Sequence, residues 1–278
     1  MSDPRQTPAR ADLAAAHLVD THPAPRYAKA TQFQVTKPLL DMRNAPEAGS
    51  LSSQLLFGEA FDAYEVDAKT GLAWGQSLTD GYVGYVQADG LMPRGPAPTH
   101  VVETRVAQTY AEPDLKQMPT LTLPWQARLT VTDQDKGYAR VGANTWIAAA
   151  QLAPADQSAA DFVSVAKQFL GTPYVWGGRS VYGLDCSALV QLALQAAGHP
   201  FPRDSDLQED AVAASELPLR RGDLVFWDGH VGIMEDSATL LHANAHHMAV
   251  VSEPLAEAAA RISRTGTGPI SSYGRIPD

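Results

Sequence analysis

The pattern of apolar residues changes once along the chain, near residue 153, and that change limits what the protein can fold into. Upstream, short alternating apolar runs are separated by turn residues, the pattern of small antiparallel β modules. The segments LLFGEAFDAYEVD (55–67), LAWGQSL (72–78), GYVGYV (81–86), QARLTVTD (126–133), YARV (138–141) and TWIAAA (145–150) read as strands. Downstream, DQSAADFVSVAKQFLG (156–171) places Phe162, Val163, Ala166, Phe169 and Leu170 on one helical face, with Gly171 as a stop. A second helix is predicted from Cys186 to Ala197, with Gly198 closing it. DLVFWD (223–228), HVGIME (230–235), ATLLHA (238–243) and HMAVVS (247–252) then read as short strands joined by tight turns. Helices followed by strands predict an α+β domain with an antiparallel sheet.

The upstream half repeats itself. Trp74 precedes Tyr82 by eight positions, and Tyr138 precedes Trp146 by the same interval. Two copies of this kind suit two small barrels joined by the Pro-rich LMPRGPAPTH (91–100). The arrangement resembles a tandem of bacterial SH3-like domains. The expected partition is an N-terminal extension (1–30), a first SH3-like barrel (31–95), a second (96–153) and the α+β domain (154–278). The formal charge of −10 argues against nucleic acid or an anionic membrane as partner. A single cysteine forms no intramolecular disulfide, so no oxidising compartment is required. The first residues show no basic segment followed by an apolar run, and no stretch reaches the roughly 20 apolar residues of a membrane span. The expected location is the cytoplasm. Oligomeric state stays open.

That single cysteine, Cys186, follows Asp185 at the start of the second predicted helix. Lone cysteines are ordinarily inert small hydrophobes. Here Asp185 is a good N-cap, which puts the thiol in the first turn, where helix N–H groups favour a thiolate. A thiolate needs a base to share its proton and to protonate the leaving amine. Of eight histidines, His17, His22 and His100 lie outside the α+β region, and His199 follows the helix at a turn. His230 opens HVGIM directly after a Gly229 turn, so its ring can project from the end of an otherwise apolar strand. His242, in TLLHANA, shares a face with Leu240; on a neighbouring strand it could orient His230. His246 and His247 read as solvated turn residues. No HExxH or CxxC spacing supports a metal site, and no cofactor is implied.

With these pieces in order, residues 155–278 resemble the NlpC-type cysteine peptidases, a papain-like family of cell-wall endopeptidases. GTPYVWGG (171–178), GLDCSALV (183–190), FPRDSDLQ (201–208), RGDLVFWDGHVGIM (221–234) and LLHANA (241–246) carry the resemblance in the family's order. It implies an α+β papain-like catalytic domain preceded by two small all-β SH3-like barrels. It makes Cys186 the nucleophile, His230 the general base, His242 the residue orienting it, and Tyr174 a hydroxyl near the oxyanion. Ala188 stands where the family commonly has glycine. The implied reaction is hydrolysis of the γ-D-Glu–diamino acid bond of free murein peptides, releasing L-Ala-γ-D-Glu during cell-wall peptide recycling. An unblocked N-terminal alanine calls for an anion facing its ammonium. Asp185 is the candidate, supported by Ser187, Trp176 and Ser205, with Tyr82 and Glu59 from the first barrel. A lysin with wall-binding SH3-like tethers is the competing enzyme, and a binding module with a decayed site the non-enzymatic one.

Overall fold

The stretch 55–67, one strand by alternation alone, is two strands. Leu51–Leu56 ends, Gly58 turns the chain at φ +80°, and Ala60–Asp67 leaves in a new direction. A Cβ on Gly58 would stand 2.0 Å from the carbonyl oxygen of Arg128, so glycine is needed both for the turn and for the close approach of the next sheet. This computed structural model describes residues 3–47, 49–265 and 267–276. The chain forms two compact units, Met1–Gln157 and Ser158–Asp278.

In the first unit seven strands form one antiparallel sheet, in the order Leu91–Pro93, Thr31–Val35, Ala60–Asp67, Leu72–Ser77, Val83–Gln87, Leu39–Arg43 and Leu51–Leu56. Val35, Leu40, Met42, Leu55, Phe61, Tyr82 and Val86 fill its core. Leu13 and Ala15 of the N-terminal segment cluster instead with Tyr64 and Trp74. There the Arg10 guanidinium lies 4.7 Å from the Trp74 ring and pairs with Glu65. The segment expected to be an extension is therefore built into the first module.

Residues 100–154 follow with a three-stranded sheet (Arg128–Leu129, His100–Val102, Leu152–Pro154) and a five-stranded one (Leu121–Pro124, Val106–Tyr110, Thr145–Ala148, Tyr138–Gly142, Asp133–Asp135). Among the described residues no closed barrel is found. In the first module Leu51–Leu56 and Leu91–Pro93 are edges paired on one side only, and Pro93 has no N–H to extend its ladder. The aromatic repeat also divides. Trp74 is buried with Tyr64 at 5.8 Å, whereas Tyr138 and Trp146 are half-buried, Tyr138 edge-on to Tyr110 at 6.0 Å.

Among its described residues the second unit has four helices: α1 (Phe162–Lys167), α2 (Cys186–Ala196), α3 (Ser205–Asp210) and α4 (Leu255–Arg264). α1 is shorter than expected because Asp161 sets its start by accepting from the Val163 N–H at 3.1 Å. α2 runs as predicted to within one residue, and every residue from Cys186 to Leu194 is buried, so it is a central helix rather than an amphipathic one. It packs on an antiparallel sheet ordered Ala213–Ala214, Ser272–Arg275, Leu224–Trp227, His230–Met234, Thr239–Asn244 and Ala249–Pro254. α4 was not anticipated, although Leu255, Ala258, Ala259 and Ile262 carry its apolar stripe.

Candidate active site

The nucleophile position is defined by what holds Asp185. Its backbone is extended, and its Oδ1 accepts from the Ala188 N–H at 2.9 Å, capping α2. The buried Arg203 clamps both oxygens, Nη1 to Oδ1 at 2.9 Å and Nη2 to Oδ2 at 2.8 Å. The Gly177 N–H donates to Oδ2 at 2.9 Å, and the Ser187 hydroxyl donates to Oδ1 at 3.3 Å while accepting from Arg203 at 3.0 Å. Arg203 is 1% exposed, so a variant that removes Asp185 strands a buried cation, a loss that typically costs about 3–5 kcal/mol. The Ala188 methyl is accommodated in full burial.

Cys186 follows this cap, buried, with its sulfur facing the backbone N–H of Val231, the residue after His230. Burial and then the Asp185 charge push its thiol up to about 12, against smaller opposing effects of the Val231 and Ser187 N–H groups and Arg203. The stabilisation that the helix start offers a thiolate is thus opposed by its burial. The sequence shows the helix dipole but not the desolvation that a buried α2 imposes.

His230 and His242 meet across the sheet. His230 Nε2 lies 2.8 Å from His242 Nδ1, with ring centroids 5.0 Å apart. His242 is fully buried, and its Nε2 lies 2.7 Å from Glu253 Oε1. Arg261 in turn donates to both Glu253 oxygens, at 2.7 Å to Oε2. The Asn244 amide nitrogen is 3.0 Å from His242 Nε2, and its Oδ1 accepts from the His247 N–H. Gly232 makes room for this row: a Cβ there would meet Leu240 at 2.7 Å and His242 Cβ at 3.1 Å. The indole of the buried Trp227 backs His230 at 5.5 Å.

Burial, then the neighbouring His242 and Arg261 charges, lower His230 to about 3. Burial also lowers His242, against the pull of Glu253. Against the upward push of its own burial, bonds from Arg261 and His242 hold the Glu253 carboxyl at about 2. An ionised Glu253 accepts the proton of His242 Nε2. His242 Nδ1 then accepts from His230 Nε2, and the proton-free nitrogen of His230 is Nδ1. The chain of bonds fixes the tautomer of the candidate base.

These shifts have a consequence for stability. In the unfolded chain both histidines titrate near 6.5. Below that pH the unfolded state binds protons that the folded relay refuses, so stability falls as pH falls, by up to about 1.4 kcal/mol per pH unit per histidine. Glu253, depressed to about 2, acts in the same direction below its ordinary value of 4.5. Urea midpoints are expected to drop steadily from pH 7.5 to pH 5. An unchanged midpoint across that range would show that the histidines are not held neutral.

Tyr174 is half-buried, and burial, then the Cys186 and Asp185 charges, raise its hydroxyl, keeping it a proton donor. Trp176 is 67% exposed, and Ser205 begins α3. In the first unit Tyr82 packs in the apolar core, and the buried Glu59 accepts from the Leu56 N–H at 2.9 Å. Sequence reasoning missed Arg203, Glu253, Asn244 and Arg261. The first lay in the quoted FPRDSDLQ segment, and Glu253 is the lone acid ending the AVVSEP strand.

A buried thiol at the start of a central helix, packed on an antiparallel sheet that carries a hydrogen-bonded histidine pair, defines a papain-like protein of the cysteine-peptidase type. Residues 171–262 match the NlpC/P60 family, and residues 42–91 match the bacterial dipeptidyl-peptidase Sh3 domain. A probable endopeptidase of Corynebacterium glutamicum (strain R) is 32% identical over 146 residues, 51% of this chain and 68% of that protein. The chain belongs to the NlpC/P60 family. A gamma-D-glutamyl-L-lysine dipeptidyl-peptidase of Bacillus cereus is 39% identical over 71 residues, but the match spans only 25% of this chain and 21% of that protein. The crystal structure of an NlpC/P60 family protein from Bacillus cereus ATCC 10987 shares the fold, with a TM-score of 0.73 at 19% identity, covering 88% of this chain and 99% of that one.

Proposed function

We propose that the protein is a cysteine endopeptidase that hydrolyses the γ-D-Glu–diamino acid bond of free murein peptides, releasing L-Ala-γ-D-Glu for cell-wall peptide recycling in the cytoplasm. One observation carries the chemistry: the hydrogen-bonded row His230–His242–Glu253, with the Cys186 sulfur against the N–H of Val231, the next residue along the His230 strand. The substrate is suggested by the relatives' names and by the Sh3 match to residues 42–91.

In this reading the Cys186 sulfur attacks the γ-carbonyl carbon as its proton passes to His230 Nδ1. Thiol and imidazole start neutral, so proton transfer accompanies the attack. The tetrahedral oxyanion is met by the Tyr174 hydroxyl and backbone N–H groups at the start of α2. Collapse breaks the C–N bond, and His230 delivers its proton to the departing amine, leaving a thioester. Water attacks the thioester, giving its proton to His230, which returns it to the sulfur as the dipeptide leaves. Asp185 reads the free alanine ammonium, a contact added to the bonds it already accepts from Arg203 and Gly177. Ser187, Trp176 and Ser205 complete the proposed contact set within the second unit. A second SH3-like module in residues 96–153 belongs to the same proposal.

The test is cleavage of L-Ala-γ-D-Glu-L-Lys beside its N-acetyl-alanyl form. Dipeptide release from the free peptide, and at least about tenfold poorer kcat/KM for the blocked one, is expected if one buried ion-pair contact is lost. Equal cutting of both removes the ammonium role. Cutting of intact sacculi in preference to either would replace the proposal with the lysin reading.

A further inference from the structure

A cleft of about 220 Å³ opens on the His230 side of the site. His230 and Tyr174 form part of its wall, with Asp228, Asn244, Arg261 and Thr265 around them. The group that leaves the tetrahedral intermediate takes its proton from His230, so it must depart into space that His230 itself lines. The volume is below the roughly 300–1,000 Å³ of pockets for drug-sized ligands. That suits one amino-acid residue better than a cross-linked strand.

We infer that this cleft is the leaving-group subsite, that it takes the diamino acid, and that Asp228 binds the ammonium at the end of its side chain. The inference rests on the peptidase reading above and adds the residue that selects the third position of the peptide. Charge decides the assignment. Arg261 lines the cleft, but its guanidinium is committed to Glu253 through both terminal nitrogens. Asp228 is exposed and has no salt bridge among the described residues. With Arg261 held by Glu253, Asp228 is the one carboxylate among the described residues that line the cleft, which favours a cation there. Its place is also fixed. Trp227 pairs with His230 in register, so Asp228 and Gly229 are the two residues of the connecting turn, and Gly229 supplies the positive φ of +71°. Asp228 therefore stands two residues from the base along the chain and lines the same cleft. Asparagine is equally at home in such a turn, so Asp228→Asn removes the charge and keeps the geometry.

The experiment compares L-Ala-γ-D-Glu-L-Lys with the same peptide acetylated on the lysine side-chain amine, for the full chain and for Asp228→Asn. The unsubstituted chain is expected to favour the free-amine peptide about fivefold in kcat/KM, the upper end for an exposed ion pair, mainly through KM. Raising the salt to about 1 M should shrink that preference. In Asp228→Asn the two peptides should be cut alike. A preference that persists in Asp228→Asn, or one absent from the unsubstituted chain, overturns the inference while leaving the peptidase reading intact. Cleavage of neither peptide overturns that reading, and the subsite with it.

Discussion

Cys186→Ala is expected to lower release of L-Ala-γ-D-Glu from the free tripeptide by about 10⁴-fold or more, the scale on which nucleophile loss acts in acyl-transfer enzymes. Cys186 is the only cysteine, so no second thiol can take its place. The site is buried and the substitution removes a single sulfur, so the α2 cap and the Arg203 clamp stay in place and the fold should survive. Chromatographic assay of the dipeptide, with circular dichroism as the control, checks both halves. Residual activity above about a hundredth of the original would remove the covalent mechanism.

The second large effect is expected at Glu253, which touches no substrate in the proposed reaction and acts through His242. Glu253→Ala takes away the acceptor for His242 Nε2–H. His242 can then carry its proton on Nδ1 and donate to His230 Nε2, which places the remaining His230 proton on Nδ1, the nitrogen proposed to take the thiol's proton, and leaves no base. A loss of about 10² in kcat with little change in KM is expected, comparable to removing an outer-shell partner of a functional histidine. Glu253→Gln separates orientation from charge. Oε1 accepts from both His242 and Arg261, so a glutamine oxygen fits best there and keeps the tautomer. That variant should retain activity within about tenfold. If Gln and Ala are equally impaired, the ionised carboxylate matters rather than the proton order. If neither is impaired, His242 needs no orienting partner.

The difference between these residues and the ones read from the sequence is one of distance along the chain. Cys186, His230 and His242 each sit at a local signal: behind a capping aspartate, after a glycine turn, and in an apolar strand. Glu253 has no such signal. It reaches His242 only because Leu240 pairs with Glu253 in register, which makes His242 and Glu253 diagonal neighbours on adjacent strands. Arg203 likewise gains meaning only from a partner 18 residues earlier. The raised Cys186 thiol was hidden for another reason: α2 is apolar enough to be read as a helix, but its burial on every side depends on the sheet beneath and the elements around it. Barrel closure in the first module failed because alternation reports which residues face a core, not whether the first and last strands meet.

The Arg203 clamp has a consequence for how this enzyme wears. A helix ordinarily frays from its ends, and a first turn opens far more often than the protein as a whole. In α2 the first turn is fastened to a residue beyond the helix's far end, so the segment from Asp185 to Arg203 is a closed ring of backbone and ion pair. Opening the turn breaks the ring and exposes a desolvated guanidinium. The place where chains usually loosen first is here tied to a buried partner, and it is where the sulfur must be held still.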